Sequence, residues 1–182
     1  ATQEIIKMYA LNNSKIRLFS KTNSGITESL NYGLKFCEGK WIARLDSDDL
    51  CHVDRLKKQI SAAESSKRIG LVGSNAIFIN KLDKNLFYFS YPTSHKDLKN
   101  NLISCSKFFP HSSAFYNRKL IDSLGGYRER AGMSEDWDLW LRIADKKEIH
   151  NINEPLVKIR IHENQVSKKN YLNHAYDTRT II

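Results

Sequence analysis

Two short acidic runs hold the residue types in this sequence that most readily do chemistry. The first, Asp46-Ser47-Asp48-Asp49, directly follows the strand-like segment 41–45. Side chains alternate along an extended backbone, so we expect Asp46 and Asp48 to point the same way, roughly 7 Å apart. Two converging carboxylates repel each other unless a Lys, an Arg or a divalent cation offsets their charge. The run therefore predicts an Mg²⁺ or Mn²⁺ site completed by substrate phosphates, or else aspartates that only cap a helix or fill a turn.

The second run, Glu135-Asp136, stands where a helix is expected to begin. Ser134 is a suitable N-cap, and apolar residues follow at i, i+3, i+4 and i+7 from Trp137. Carboxylates at this position complement the helix dipole, which is a structural role. The functional alternative is that Asp136, held at a rigid helix end, acts as an ionised general base.

His162 follows an alternating, strand-like segment near the end of the sequence. A single histidine at a strand end is commonly structural, but a neutral imidazole that folds back beside Asp48 can join an Mn²⁺ site. Other active-site motifs are absent: Gly25 and Gly33 form no phosphate-binding loop, and no zinc-protease, serine-hydrolase or kinase signature occurs.

Helical and strand-like patterns alternate in the first third of the chain and give way to a more β-like middle, which predicts an α/β sandwich with a mixed sheet. The chain also begins inside a helical pattern, as if an earlier strand had preceded it. The expected helices are 1–12, 26–37, 54–68, 95–104, 119–124 and 135–147, and the expected strands are 16–19, 41–45, 70–73 with 76–80, 86–91, 112–116 and 149–161.

Composition limits the class of protein. The 182 residues correspond to one ordinary domain, and the apolar runs are too short for a transmembrane helix. Three cysteines, odd in number, predict free thiols in a reducing compartment and hence a cytoplasmic protein. The net charge of +9 attracts polyanions such as nucleic acid, anionic lipid or a phosphorylated substrate. The basic residues are scattered pairs without interleaved aromatics, so we expect no nucleic-acid partner.

Taken together, three segments resemble a family 2 glycosyltransferase with the A-type nucleotide-sugar fold. They are Asn23 to Asp49, which is similar to the segment leading into the D-x-D motif; Gly125-Gly126-Tyr127-Arg128 followed by Ser134 to Trp140, which is similar to the glycine loop and E-D motif; and Arg160 to Ser167, which is similar to the C-terminal histidine segment. The resemblance implies an α/β three-layer sandwich with a mixed, mainly parallel central sheet. Residues 1–167 would form the catalytic domain, and 168–182 a tail or the start of a following segment.

The resemblance also implies metal and catalytic residues. Asp46 would contact the nucleotide ribose or the metal, Asp48 would bind Mn²⁺ or Mg²⁺ at the diphosphate, and His162 would complete the metal or phosphate site. Asp136 would be the base that deprotonates the acceptor hydroxyl, with Glu135 contacting the acceptor.

Three further residues of the same motifs are expected to contribute to donor binding. Asn31 belongs to the segment before the D-x-D motif, and the Gly125-Gly126 turn would let backbone approach the donor or acceptor closely.

The implied activity is inverting, metal-dependent transfer of a sugar from a nucleoside diphosphate sugar, by default a UDP-sugar. The acceptor would be a hydroxyl of a glycan or lipid-linked molecule. The Lys-, Asn- and Ile-rich composition suggests a bacterial source and hence surface polysaccharide synthesis, and the basic surface predicts peripheral contact at the inner face of the plasma membrane. The alternatives are a metal-dependent nucleotidyltransferase of similar fold and a basic module that binds nucleic acid or anionic membrane. The sequence predicts no oligomeric state.

One departure from the family concerns nucleotide recognition. The family's base pocket lies in an initial strand–helix–strand unit of roughly 30 or more residues, and no such unit precedes the helical pattern at residues 1–12. We therefore expect these 182 residues alone to bind a nucleotide weakly or not at all.

Overall fold

A computed structural model describes residues 2–163 and residue 165. The helices are α1 Thr2–Asn12, α2 Ile26–Leu34, α3 Arg55–Glu64, α4 His95–Ile103, α5 Arg118–Ser123 and α6 Glu135–Ala144, with 3₁₀ segments at His111–Ser113 and Glu129–Ser134. The strands are β1 Trp41–Ala43, β2 Leu50–Cys51, β3 Ile69–Ile79, β4 Asn85–Phe89, β5 Phe115–Asn117 and β6 Glu148–Arg160. None of the described helices is both long and apolar enough to cross a membrane.

The described strands form one mixed sheet in the order β1-β5-β3-β6-β2, and β4 pairs with the second half of β3. The mixed α/β architecture agrees with the prediction. The proportion of parallel pairing does not, because only β3 and β6 run parallel and the other four pairings are antiparallel. The five-residue turn 80–84 is one cause, since so short a connection can join only antiparallel strands.

Helices cover both faces of the sheet. Consecutive strand residues point to opposite sides, so neighbouring residues of one strand pack in different cores. Leu71 of β3 packs in the larger core with α4, α5 and α6, where Trp140 is fully buried. Val72, the next residue, packs in a smaller cluster with Ala63 of α3. The layers expected of a three-layer sandwich are therefore present, and α6 is anchored by its apolar side to the larger core.

Several predicted strands are absent or shorter than their patterns indicate. Residues 16–19 form no strand; Phe19 instead stacks on Phe36 with 3.8 Å between ring centroids. The strand expected at 41–45 ends at Ala43, and the one expected from 112 begins at Phe115, because a 3₁₀ turn precedes it. The C-terminal boundary at Ser167 lies outside the described residues.

Candidate active site

One cleft of about 450 Å³ brings together five of the predicted site residues. It lies at the end of β1 and β6 and at the start of α6. The predicted residues that line it are Asp46, Asp48, Glu135, Asp136 and His162. The two acidic runs, which are separated by more than 80 residues in sequence, thus face one cavity.

The first acidic run forms a turn and does not continue a strand. β1 ends at Ala43, and the backbone N–H of Asp49 donates to the carbonyl of Asp46 (3.2 Å) to close the turn. The expectation that strand alternation aligns Asp46 with Asp48 is therefore wrong in its cause. Both side chains nevertheless line the cleft, because the turn itself faces it.

Ser112, at the 3₁₀ turn before β5, holds this acidic turn in place. Its hydroxyl lies 2.8 Å from Oδ2 of Asp46 and 2.5 Å from Oδ2 of Asp49, and it accepts the backbone N–H of Asp46 at 3.1 Å. A hydroxyl carries one proton, so it donates to one of the two carboxylates at a time. Arg44, whose guanidinium is almost buried, forms an ion pair with Asp46 and offsets part of the negative charge.

Asp49 is a buried carboxylate with its hydrogen bonds made. Oδ1 accepts the backbone N–H of Arg160 at 2.8 Å, and Oδ2 contacts Ser112. Burial raises the pKa of Asp49, while these two hydrogen bonds lower it. The contacts indicate that Asp49 fixes the turn to the end of β6.

Arg160 connects the acidic turn to the hairpin formed by β3 and β4. Its Nε donates to the carbonyl of Asp48 (2.8 Å), and its Nη1 donates to the carbonyl of Asn80 (3.0 Å) and pairs with Oδ1 of Asp83 (2.6 Å). The guanidinium group of Arg160 therefore fixes the position of Asp48 relative to the sheet.

His162 lies directly beside Asp48, with 2.9 Å between its Nε2 and Oδ2 of Asp48. This is the arrangement in which the sequence predicted that the histidine would matter. Among the described residues no group of three metal-ligating side chains is clustered. An adjacent carboxylate and imidazole do fit Mn²⁺ or Mg²⁺, because these ions take few protein ligands and complete their shells with phosphate and water.

Glu135 and Asp136 open α6, whose apolar side is anchored in the larger core. Glu135 is only 5% exposed, and its Oε2 has no hydrogen-bond partner among the described residues. Burial, followed by the nearby charge of Asp136, raises the pKa of Glu135 to about 7. A buried carboxyl oxygen without a partner, on the wall of a polar cleft, is suited to contact a bound molecule.

Comparison with known proteins identifies the family. The model of "Glycosyl transferase family 2" matches residues 1–125, more than half of the chain. The chain belongs to this family. Membership confirms the resemblance, and it favours a glycosyltransferase over a nucleotidyltransferase or a binding module.

The chain matches only part of the length of its curated relatives. An uncharacterized glycosyltransferase of Haemophilus influenzae is 30% identical over 156 residues, covering 84% of this chain and 57% of the relative. The amylovoran biosynthesis glycosyltransferase AmsE of Erwinia amylovora is 31% identical over 153 residues, covering 84% and 56%. The O-antigen biosynthesis glycosyltransferase WbnJ of Escherichia coli is 28% identical and covers 90% and 64%. The chain thus spans little more than half the length of the first two relatives.

Solved structures support the A-type fold. A mannosyltransferase from Pyrobaculum calidifontis, PcManGT, in complex with GDP-Man and Mn²⁺, superposes with a TM-score of 0.71 at 16% identity, covering 98% of this chain and 50% of that one. TarS of S. aureus, residues 1–349, gives 0.67 at 15% identity, covering 99% and 52%.

Three predicted site residues do not line the cleft. The side-chain amide of Asn31 pairs with the backbone of Tyr127 in both directions, each at 2.9 Å. Gly126 has φ +70°, and a Cβ there would lie 2.6 Å from Oδ1 of Asn31. In this structure Asn31, Gly125 and Gly126 join α2 to the loop before α6, so the glycine turn permits close approach of a side chain of the protein itself.

Behind the cleft lies a row of hydrogen-bonded aromatic groups that sequence reasoning missed. His111 lines the cleft, and its Nε2 lies 2.8 Å from the hydroxyl of Tyr127, which is 3.0 Å from that of Tyr116. Burial, followed by the charge of Arg44, holds the pKa of His111 well below its usual range. His111 is therefore neutral at neutral pH.

Proposed function

We propose that the cleft is the donor and catalytic site of an inverting, metal-dependent glycosyltransferase. The donor is a nucleoside diphosphate sugar, with a UDP-sugar as the default. The acceptor is a hydroxyl group of a glycan or lipid-linked molecule. The observation that carries the proposal is that Asp48, beside His162, and the pair Glu135 and Asp136 line a single cavity.

Asp48 and His162 are the residues that would hold Mn²⁺ or Mg²⁺, with Asp46 next to them in the turn. When bound, the ion supplies positive charge for the diphosphate leaving group. Arg160 and Ser112 keep the acidic turn in place before any substrate arrives. A preorganised turn needs little rearrangement on donor binding, which favours catalysis.

Asp136 removes the proton from the acceptor hydroxyl as its oxygen attacks the anomeric carbon. The new bond from oxygen to carbon forms on the face opposite the leaving group, while the bond from carbon to diphosphate oxygen breaks and its electron pair leaves with the diphosphate. Configuration at the anomeric carbon is inverted, and no enzyme nucleophile is needed. A proton on Glu135 lowers the repulsion that the charge of Asp136 meets at the helix start.

The comparisons support a role in polysaccharide synthesis. Two relatives are named for amylovoran and O-antigen biosynthesis, and both names refer to bacterial polysaccharides. The three cysteines are free thiols, which agrees with a reducing compartment. The cytoplasmic location itself stays a prediction.

The test is a transfer assay on the full-length protein with Mn²⁺ and a panel of UDP- and GDP-sugars. We expect release of a nucleoside diphosphate and a product whose anomeric configuration, read by NMR, is inverted relative to the donor. Asp136→Asn should lower transfer by at least about 100-fold, whereas Asp122→Asn, which changes an exposed carboxyl on α5, should not. Release of pyrophosphate would instead identify a nucleotidyltransferase, and a product of retained configuration would rule out direct displacement.

A further inference from the structure

The hairpin of β3 and β4 presents an apolar surface next to the active-site cleft. Leu82, in the turn, is 86% exposed, and Leu86, at the start of β4, is 48% exposed. With Ile161 they line a groove of about 560 Å³ that reaches His162, a residue that also lines the cleft. We call residues 80–86 the hairpin apex.

The apex has a fixed shape. Oδ1 of Asn80 accepts the backbone N–H groups of Leu82 (2.9 Å) and Lys84 (3.1 Å). Asp83 pairs with Arg160, the same side chain that holds the acidic turn. The backbone that carries the exposed leucine is therefore held by hydrogen bonds, and Arg160 links the apex to the acidic turn.

The charge around the apex is positive. Lys81 and Lys84 are both exposed, and within residues 2–163 neither takes part in an ion pair. The negative charge of Asp83 is already offset by Arg160. Glu163, an exposed carboxylate, lines the same groove. The apex thus combines an exposed leucine with two lysines that form no ion pair among the described residues, and with Arg160 the basic groups here outnumber Asp83 and Glu163.

We propose that the hairpin apex docks on the surface of an anionic phospholipid bilayer. Leu82 and Leu86 enter the boundary between headgroups and acyl chains, while Lys81 and Lys84 face the lipid phosphates. Apolar side chains next to basic ones are the pattern that binds membrane interfaces, and lysines near an anionic surface strengthen it. The charge complementarity of the apex and its continuity with the cleft through His162 favour this partner over another protein. Docking is separate from the transfer reaction and does not depend on it.

The experiment measures co-sedimentation of the full-length protein with vesicles of equal parts phosphatidylcholine and phosphatidylglycerol, in the absence of any sugar nucleotide. We expect Leu82→Ser to weaken partitioning about tenfold, from the loss of one buried leucine. Lys81→Gln combined with Lys84→Gln should weaken it about fivefold for each charge removed. Because these side chains are exposed, the variants should unfold at the same temperature as the parent protein.

Matched controls separate the apex from the general charge of +9. Leu56→Ser changes an exposed leucine on α3, and Lys57→Gln with Lys67→Gln removes two exposed lysines elsewhere. Both should partition within about twofold of the parent, as expected for residues remote from the contact. Equal losses in apex and control variants, equal binding to pure phosphatidylcholine, or no binding by the parent protein would each overturn the proposal. A change in transfer activity alone would concern the catalytic proposal and not this one.

Discussion

The cleft contains two buried carboxyl groups, Asp49 and Glu135, whose surroundings differ. Burial raises the pKa of both. Asp49 accepts hydrogen bonds from Ser112 and from the backbone of Arg160, whereas Oε2 of Glu135 has no hydrogen-bond partner among the described residues. Among the described residues, the hydrogen bonds of the buried carboxyl group in the acidic turn are thus satisfied without a ligand, whereas those of the buried carboxyl group at the start of α6 are not.

This difference separates positioning from chemistry. Unsatisfied buried carboxyl groups cost folding free energy, so they usually occur where a ligand or a reaction needs them. We therefore expect changes at the start of α6 to act on turnover and on pH dependence. Changes in the hydrogen bonds of the acidic turn should act on stability.

Asp136→Asn should have the largest effect. The amide cannot accept the acceptor's proton, so turnover should fall by about 10²- to 10⁴-fold, the usual contribution of a general base. Donor affinity should stay unchanged, because the group that faces the diphosphate is intact. Single-turnover kinetics and calorimetry with the donor separate the two quantities. Substantial retained turnover would exclude Asp136 as the base.

Asp48→Ala should have the next largest effect, and on a different quantity. Donor affinity and the response to added Mn²⁺ should fall together by about 100-fold, since even outer-shell partners of a metal contribute 10- to 100-fold. Titration of Mn²⁺ against donor binding measures both. Asp54→Asn, an exposed carboxyl outside the cleft, is the matched control. An unchanged response to Mn²⁺ in Asp48→Ala would remove this residue from the metal site.

Glu135→Gln tests, through stability, the buried carboxyl group at the start of α6. The pKa of Glu135 rises from 4.5 to about 7 on folding, so between these values the folded state binds more protons than the unfolded state. Stability should therefore fall as pH rises through this window. The glutamine variant avoids this loss and should be more stable than the parent by about 3 kcal/mol at pH 8.

Urea denaturation at several pH values measures this gain, which should fade towards pH 4.5. Glu129→Gln, an exposed carboxyl in the preceding 3₁₀ segment, serves as the control. A gain that did not depend on pH would mean that the ionisation of Glu135 is not its source.

Ser112→Ala, which changes the hydrogen bonds of the acidic turn, should have the smallest effect. It removes the hydroxyl that contacts both Asp46 and Asp49, and leaving a buried acceptor unpaired should lower the free energy of unfolding by about 1 kcal/mol. Turnover should fall only a few-fold if the turn keeps its shape. Thermal unfolding of this variant beside Ser123→Ala, an exposed serine on α5, checks the prediction. A loss of turnover as large as that of Asp136→Asn would contradict the view that the hydrogen bonds of the acidic turn act on stability and the start of α6 acts on turnover.

Local pattern predicted the start of α6 well, because the apolar stripe from Trp137 and the acidic first turn are encoded in adjacent residues. The order of the family motifs also predicted that Asp48, Asp136 and His162 serve one site, and one cleft contains them; their roles stay predictions. Ser112 and Arg160 could not be found this way. They contact the acidic turn across 66 and 112 residues of sequence, and such contacts leave no periodicity.

One prediction failed for an identifiable physical reason, and one residue of a family motif has a partner within the chain. Residues 16–19 alternate like a strand, but a strand needs a hydrogen-bonded neighbour, and none of the described strands pairs with them. Asn31 belongs to a family motif, yet its amide is engaged by Tyr127. Sequence identifies that such a residue matters without telling whether its partner is a ligand or the chain itself.

The glycine turn before α6 has a mechanical consequence. Arg142, in the last turn of α6, donates to the carbonyl groups of Leu124 and Gly126 (2.9 and 2.8 Å), and the next residue, Tyr127, is bound to Asn31 of α2. These hydrogen bonds therefore couple helix α6, the glycine turn and α2, so that they are expected to move together. A tilt of α6 that moved Asp136 towards an acceptor would also shift Ile26, at the first turn of α2, where it lines the same cleft.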